Sequence, residues 1–187
     1  HTPHLDRLAA RGVRFENVYC THPLCVPSRF SLFTGRMPSQ VNQFDNSDEE
    51  GRMPRHIVEQ GLGHLVKRAG YKALYGGKMH FPGYWSPNIG FDHYCNDDRD
   101  GLAAEAADRL GQLAAGAEPF LLVASFINPH DICYMAVNDF MADTPENRRR
   151  KQSIAYASAQ EPLRQAMQLP PGMDEDDFYA SVCPPLP

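Results

Sequence analysis

Several things are missing from this chain of 187 residues, and each absence closes a class of reading. No window approaches the roughly 18 consecutive apolar residues of a membrane span. The longest apolar run, Pro119 to Ile127, has the length of a buried strand. Cysteine is sparse: Cys20, Cys25, Cys95, Cys133 and Cys183 form no C-x-x-C pair and no zinc-type spacing. An odd number of them cannot complete a disulfide framework, so the redox compartment stays open. Basic residues are not in excess. The net charge of −5 gives no support to a nucleic-acid partner. The single basic run, Arg148 to Lys151, follows Glu146 in a polar stretch and reads as a solvated helix face. There is no internal repeat and no low-complexity tract. An initiator Met is absent too, His1 leads almost directly into a helical pattern, and the chain stops on Cys183-Pro-Pro-Leu-Pro. The expectation is a fragment of a longer protein. A periplasmic or secreted location is expected, with the cytoplasm as the alternative.

What is present is ordinary in bulk, 42% hydrophobic and 22% charged, enough for one sizeable core. Leu5, Leu8 and Ala9 behind Pro3 fit a short amphipathic helix closed by Gly12. Val13 to Val18 alternates apolar and polar residues as a half-buried strand does. Pro27 to Thr34 reads as a helix ended by Gly35. Residues 37 to 56 read as an irregular surface loop. Leu62 to Ala69 is a second amphipathic helix, Tyr71 to Tyr75 a strand, Leu102 to Ala115 an Ala-rich helix, and Phe120 to Phe126 the strongest strand. Helices and strands alternating at short spacing argue for α/β architecture with a mostly parallel sheet flanked by helices. Residues 138–187 read as a helical or irregular insertion and connection, with a long helix expected over Arg148 to Met167 and a loop through the stretch QLPPGMDEDDF.

The distinctive polar residues fall just after the expected strands: Cys25 after one, Lys78 and His80 after another, His130 after a third. Sites in open α/β sheets form outside the carboxyl ends of strands. Cys25 ahead of a helix would feel unpaired N–H groups and the positive end of the dipole, which stabilise an anion. Arg29 lies one turn on, Lys78 adds a cationic donor, and His80 and His130 transfer protons near neutral pH. Such a set suits a tetrahedral oxyanion, sulfate or phosphate. Each residue also has a packing reading: a buried Cys, a surface Arg, a snorkelling Lys, a core or loop-capping His. All five at strand ends is the less economical coincidence. A Cys-based phosphatase loop spaces its Cys and Arg by five residues, and here three intervene. A Cys-His protease-like pair lacks an orienting partner and a local signature.

Cys25-Val26-Pro27-Ser28-Arg29 followed by Leu32-Phe33-Thr34-Gly35-Arg36 resembles the signature of the type I sulfatases, members of the alkaline-phosphatase-like superfamily. Thr2-Pro3-His4-Leu5-Asp6-Arg7-Leu8-Ala9 with Gly12-Val13-Arg14-Phe15 is similar to that family's first helix and strand. Gly77-Lys78-Met79-His80 is similar to its GK-x-H motif, and Ser125 to His130 to its strand ending in Pro-His. The matches are collinear over residues 2 to 131. Val26 departs from the family, which usually has a smaller residue there.

The resemblance implies an incomplete alkaline-phosphatase/sulfatase-like α/β fold, residues 1–187 forming the N-terminal part of a catalytic domain. It implies a sulfuric ester hydrolase acting on a small-molecule or carbohydrate sulfate ester. It implies that Cys25 is oxidised to formylglycine by a maturing enzyme, its hydrate then serving as nucleophile and as one ligand of Ca²⁺ (or Mg²⁺ or Mn²⁺). Arg29 would support the nucleophile, Lys78 and His130 would meet sulfate oxygens, and His80 would be the base that releases sulfate. The family's paired aspartates on an earlier strand and its Asp-Asn pair on a later one have no counterpart here. Asp45-Asn46 and Asp97-Asp98 stand in the wrong order and read as loop residues. The chain alone is therefore expected to be inactive. Hydrolysis of phosphate or phosphonate esters, or a non-catalytic binding role on the same fold, are the alternatives.

Overall fold

A computed structural model describes residues 2–46 and 53–130, together with Thr144, Pro145, Asn147, Gln168, Leu169 and residues 171–182. The chain divides into two compact units, residues 1–126 and 127–187. In the first, the described residues form α1 (Pro3–Ala10), α2 (Cys25–Thr34), α3 (Pro38–Val41), α4 (Arg55–Val58), α5 (Leu62–Arg68), β1 (Lys72–Gly77), β2 (Asp92–Cys95), α6 (Leu102–Ala114) and β3 (Phe120–Ser125). The second contains α7 (Glu175–Val182).

The three strands make one sheet in the order β2-β1-β3, and both pairings are parallel, as the alternation of elements implied. β1 is central and buries Ala73 and Tyr75 completely. Its register with β3 runs from Lys72 opposite Phe120 to Gly77 opposite Ser125. β2 escaped the sequence reading because only four residues take part and two of its side chains, Asp92 and His93, are exposed. The apolar face of α2 closes the core over β1. Phe33 meets Tyr75, Phe81 and Phe91 at ring-centroid separations of 5.8, 5.3 and 5.6 Å, and Phe30 meets Phe81 at 5.1 Å. Buried aromatics of this size contribute about 1.5–3 kcal/mol each through area alone, with edge-to-face geometry adding to it.

Three expectations need correction. Residues 13–18 form no strand among the described residues. Val13, Phe15 and Val18 are about three-quarters exposed, at 79%, 76% and 76%. Alternation marks a segment able to join a sheet, but a strand also needs a ladder partner and a face to bury. The described residues supply neither, so Cys25 does not follow a strand. The expected loop over residues 37–56 contains α3 and the first two residues of α4, single turns too short to show a helical period. The expected loop QLPPGMDEDDF turns helical at Glu175, where the Asp174 carboxylate accepts the Asp177 N–H at 2.8 Å. The long helix expected over 148–167 lies outside the described residues.

Candidate active site at the start of α2 and the end of β1

Helix α2 begins at Cys25, two residues before Pro27, because Leu24 is extended (φ −130°, ψ 150°) and the first helical N–H groups need no intrahelical partner. Pro27 is therefore tolerated inside the first turn. Gly35 closes the helix in the left-handed region (φ 67°), its N–H donating to Ser31 O at 2.9 Å. Val26 is fully buried, which accounts for a bulky apolar residue beside the cysteine. Its N–H, one of the orphan donors of the first turn, donates to Asn46 Oδ1 at 3.0 Å. Asn46 thus caps this helix from a distance in sequence. Cys25 itself is half-buried at the positive end of a ten-residue helix.

The second component comes from β1. Gly77 has φ 87°, and a Cβ there would stand 2.3 Å from Ser125 O. Only glycine lets the strand turn this closely against β3. The turn lets the Lys78 N–H donate to Ser125 O at 2.8 Å and carries Lys78 Nζ to 4.0 Å from Cys25 Sγ, across 53 residues of sequence.

Arg29 locks these parts together. Its Nη1 donates to Lys78 O at 3.0 Å and to Ser125 Oγ at 3.1 Å, with Tyr75 Oη at 3.3 Å and Met79 O at 3.5 Å. One guanidinium nitrogen carries two hydrogens, so the two shorter contacts are the bonds it makes best. The Tyr75 hydroxyl donates to the same Lys78 carbonyl at 2.7 Å. His80, two residues beyond Lys78, is half-buried with φ 49°, an uncommon region for a residue other than glycine.

A cavity of about 440 Å³ opens over Cys25 and Arg29, lined also by Cys20, His22, Tyr75 and Ser125 among others. The structure therefore groups Cys25, Arg29 and Lys78, and places His80 on the same strand extension as Lys78. His130 belongs to the second unit, in a turn where its N–H donates to Ile127 O at 2.9 Å after the cis peptide Asn128-Pro129. Tyr75, Ser125 and Asn46 were missed by sequence reasoning. Tyr75 and Ser125 converge only through the parallel register of β1 with β3, and Asn46 stands twenty residues from the N–H it accepts.

Asp45-Asn46 and Asp97-Asp98 both lie outside helices and strands. The Asp97 carboxylate accepts backbone N–H groups of Arg99, Asp100 and Gly101 at 2.8, 3.0 and 2.8 Å, leading into α6. Those donors hold its carboxyl below the ordinary carboxylate range. Among the described residues no three His, Cys, Asp or Glu side chains come together as a metal site. They do not by themselves fit the Ca²⁺ that the resemblance implied. No helix among the described residues is long and apolar enough to cross a membrane.

A family model for sulfatases matches residues 1–168. The chain belongs to the sulfatase family. It is 35% identical over 145 residues to the Delta 4,5-hexuronate-2-O-sulfatase of Bacteroides thetaiotaomicron, covering 69% of this chain and 29% of that protein. It is 40% identical over 84 residues to the choline-sulfatase of Rhizobium meliloti, covering 44% and 15%. The solved structure of a 2-O GAG sulfatase superposes with a TM-score of 0.52 at 31% identity, over 75% of this chain and 33% of that one. The chain thus spans a third or less of the length of these relatives. The parallel sheet flanked by helices is accordingly part of the alkaline-phosphatase-like sulfatase fold.

Chemically, the site juxtaposes a cysteine, a helix N-terminus and a lysine ammonium, with an arginine behind them. Backbone N–H groups, dipole and cations all favour an anion at one locus.

Proposed function

We propose that this sulfatase-family chain carries the nucleophile-bearing part of a sulfuric ester hydrolase, with Cys25 as the precursor of the nucleophile. The observation that carries the reading is the 4.0 Å approach of Lys78 Nζ to Cys25 Sγ at the start of α2. Lys78 reaches this position through a turn that only glycine at position 77 allows.

The roles divide between contact and support. The ammonium of Lys78 meets the sulfate oxygens and offsets charge that builds on the sulfuryl group in the transition state. Arg29 acts through its neighbours: it fixes the Lys78 carbonyl and Ser125, and so the ends of β1 and β3. Its positive charge also favours the anionic ester in the cavity. His80 is proposed as the base that removes a proton from the nucleophile's own hydroxyl to expel sulfate, and His130 as the acid that protonates the departing alcohol. Conversion of Cys25 to formylglycine would supply a hydrated aldehyde, able to attack sulfur and then release sulfate by reforming the carbonyl. A maturing enzyme is the partner this requires. No step rests on a metal ion, for which the described residues form no cage.

The test is mass spectrometry of the Cys25 peptide from the full-length protein made in its native host, together with turnover of matched sulfate and phosphate esters. Aldehyde at Cys25 and a preference for sulfate are expected. Thiol throughout, or preference for phosphate, overturns the proposal. The 187-residue chain alone is expected to turn over neither ester.

A further inference from the structure

Beyond Lys78 the extension of β1 builds a second cavity, of about 360 Å³, lined by His80, Phe81, Pro82, Tyr84 and Trp85 among others. Trp85 is the only tryptophan in the chain, and it is 70% exposed. It is held out on a fastened turn. The Trp85 N–H donates to Asn88 Oδ1 at 3.1 Å, and its carbonyl accepts from Asn88 at 2.9 Å and Ile89 at 3.2 Å. The turn then closes through the Phe91 N–H donating to Ser86 O at 2.8 Å, with Ser86, Ile89 and Phe91 all buried. The floor is equally fixed. Phe81 packs on Phe30 and Phe33 of α2, and the Tyr84 hydroxyl donates to Met53 O at 2.8 Å. An indole presented on a rigid turn binds a flat partner with little loss of conformational freedom.

We propose that Trp85 is the stacking platform for the alcohol portion of the ester, and that this portion is a pyranose ring. The assignment rests on the sulfatase reading of His80, which lines the same cavity. Its chemistry follows from what the lining offers. No carboxylate belongs to it among the described residues, so a cationic headgroup finds no counter-charge. Nor is there an aromatic cage of the kind that binds quaternary ammonium. Phe81 is 5% exposed and Tyr84 is half-buried with its hydroxyl on Met53, so Trp85, at 70%, presents the most open aromatic face. One face suits a ring that carries apolar C–H groups on one side and hydroxyls around its rim. Because Phe81 sits on α2, platform and nucleophile share one packed body.

Emission from the single tryptophan reads this cavity alone. The chain is titrated with methyl β-galactopyranoside, its 6-sulfate and choline sulfate. Both sugars are expected to shift or quench the emission saturably, and choline sulfate to leave it unchanged. By calorimetry, Trp85→Ala weakens the sugar sulfate about tenfold (about 1.4 kcal/mol), and Trp85→Phe retains part of the affinity. Emission that moves only with choline sulfate, emission that moves with neither sugar, or undiminished affinity in Trp85→Ala overturns the platform. The two readings fail separately. Sugar-dependent emission with no ester turnover by the full-length enzyme keeps the platform and sinks the hydrolase. Turnover whose KM for the sugar sulfate ignores Trp85→Ala does the reverse.

Discussion

Arg29→Ala tests whether the arginine of the signature is a structural bolt. Its Nη1 makes two short bonds, to Lys78 O at 3.0 Å and Ser125 Oγ at 3.1 Å. Hydrogen bonds to a charged donor contribute about 1.5–3 kcal/mol each. The full sum is not expected. The Tyr75 hydroxyl still serves Lys78 O at 2.7 Å in the variant, so that carbonyl is not orphaned. Ser125 Oγ can rotate toward water. The loss is therefore about 2–3 kcal/mol, which at an m-value of about 2 kcal/mol/M lowers the urea midpoint of the chain by about 1 M with m unchanged. Arg29→Lys recovers less than half, since an ammonium lacks the planar fork. Tyr75→Phe removes the other group on the same carbonyl, so the Arg29→Ala/Tyr75→Phe cycle should show coupling of at least about 0.5 kcal/mol. A destabilisation by Arg29→Ala below about 0.5 kcal/mol, the range of ordinary surface substitutions, refutes the bolt. So does additivity of the two changes within about 0.3 kcal/mol.

Gly77→Ala places a Cβ 2.3 Å from Ser125 O at φ 87°. It should cost more than about 2 kcal/mol by thermal or urea unfolding, and an alanine tolerated within 0.5 kcal/mol contradicts the close approach. Asn46→Ala removes the acceptor of the Val26 N–H and should cost about 1 kcal/mol, with Asn46→Asp restoring most of it; equal stability of all three proteins would count against the cap. Asp97 has a folded pKa below its ordinary 3.8. Its contribution is thus present above that value and lost as pH falls through the folded pKa. Asp97→Ala should lower stability by about 1 kcal/mol at neutral pH, since the carboxylate is exposed, and the gap should narrow in acid. A gap that widens as pH falls reverses the sign and sinks the argument. The exposed Leu5, Leu8 and Phe15, at 63%, 70% and 76%, should bind the dye ANS. Replacing all three by Ser should reduce that fluorescence several-fold.

The parts of the fold that were legible are those where local pattern and tertiary demand agree. β1, β3, α5 and α6 combine periodicity with Gly or Pro punctuation, and each formed within a residue or two of its expected limits. The failures have separate physical causes. The 13–18 segment has the alternation of a strand, yet alternation describes what a segment can bury and carries no information about who covers it. β2 has too few residues for a period, and it is a strand only because β1 offers a free edge opposite Leu74 to Gly76. In the site, Cys25, Arg29, Lys78 and His80 stood out by residue type and motif. Tyr75 and Ser125 did not, since neither is chemically conspicuous until the register brings Gly77 beside Ser125. Arg29 was expected to support the nucleophile, and the structure changes only the detail, setting its Nη1 on Lys78 O and Ser125 Oγ.

That change bears on why the site sits where it does. β1 is the central strand, so its carboxyl end is fixed on one side by Ser125 of β3 and on the other by the β2 ladder. Apart from Cys25, the groups proposed to meet substrate in this unit hang from its continuation, with Lys78 toward Cys25, His80 next, and Trp85 at the far side of the turn. Arg29 fastens that continuation to the helix that begins with Cys25, and Phe81 fastens it again to Phe30 and Phe33. Two independent attachments to one helix leave the segment between them little freedom to slide. The separation of Cys25 from His80, which lies between the attachments and lines the second cavity, is consequently a property of the core and not of the loop. Loosening either attachment should therefore impair large substrates more than small ones, because only a ligand spanning both cavities senses their separation.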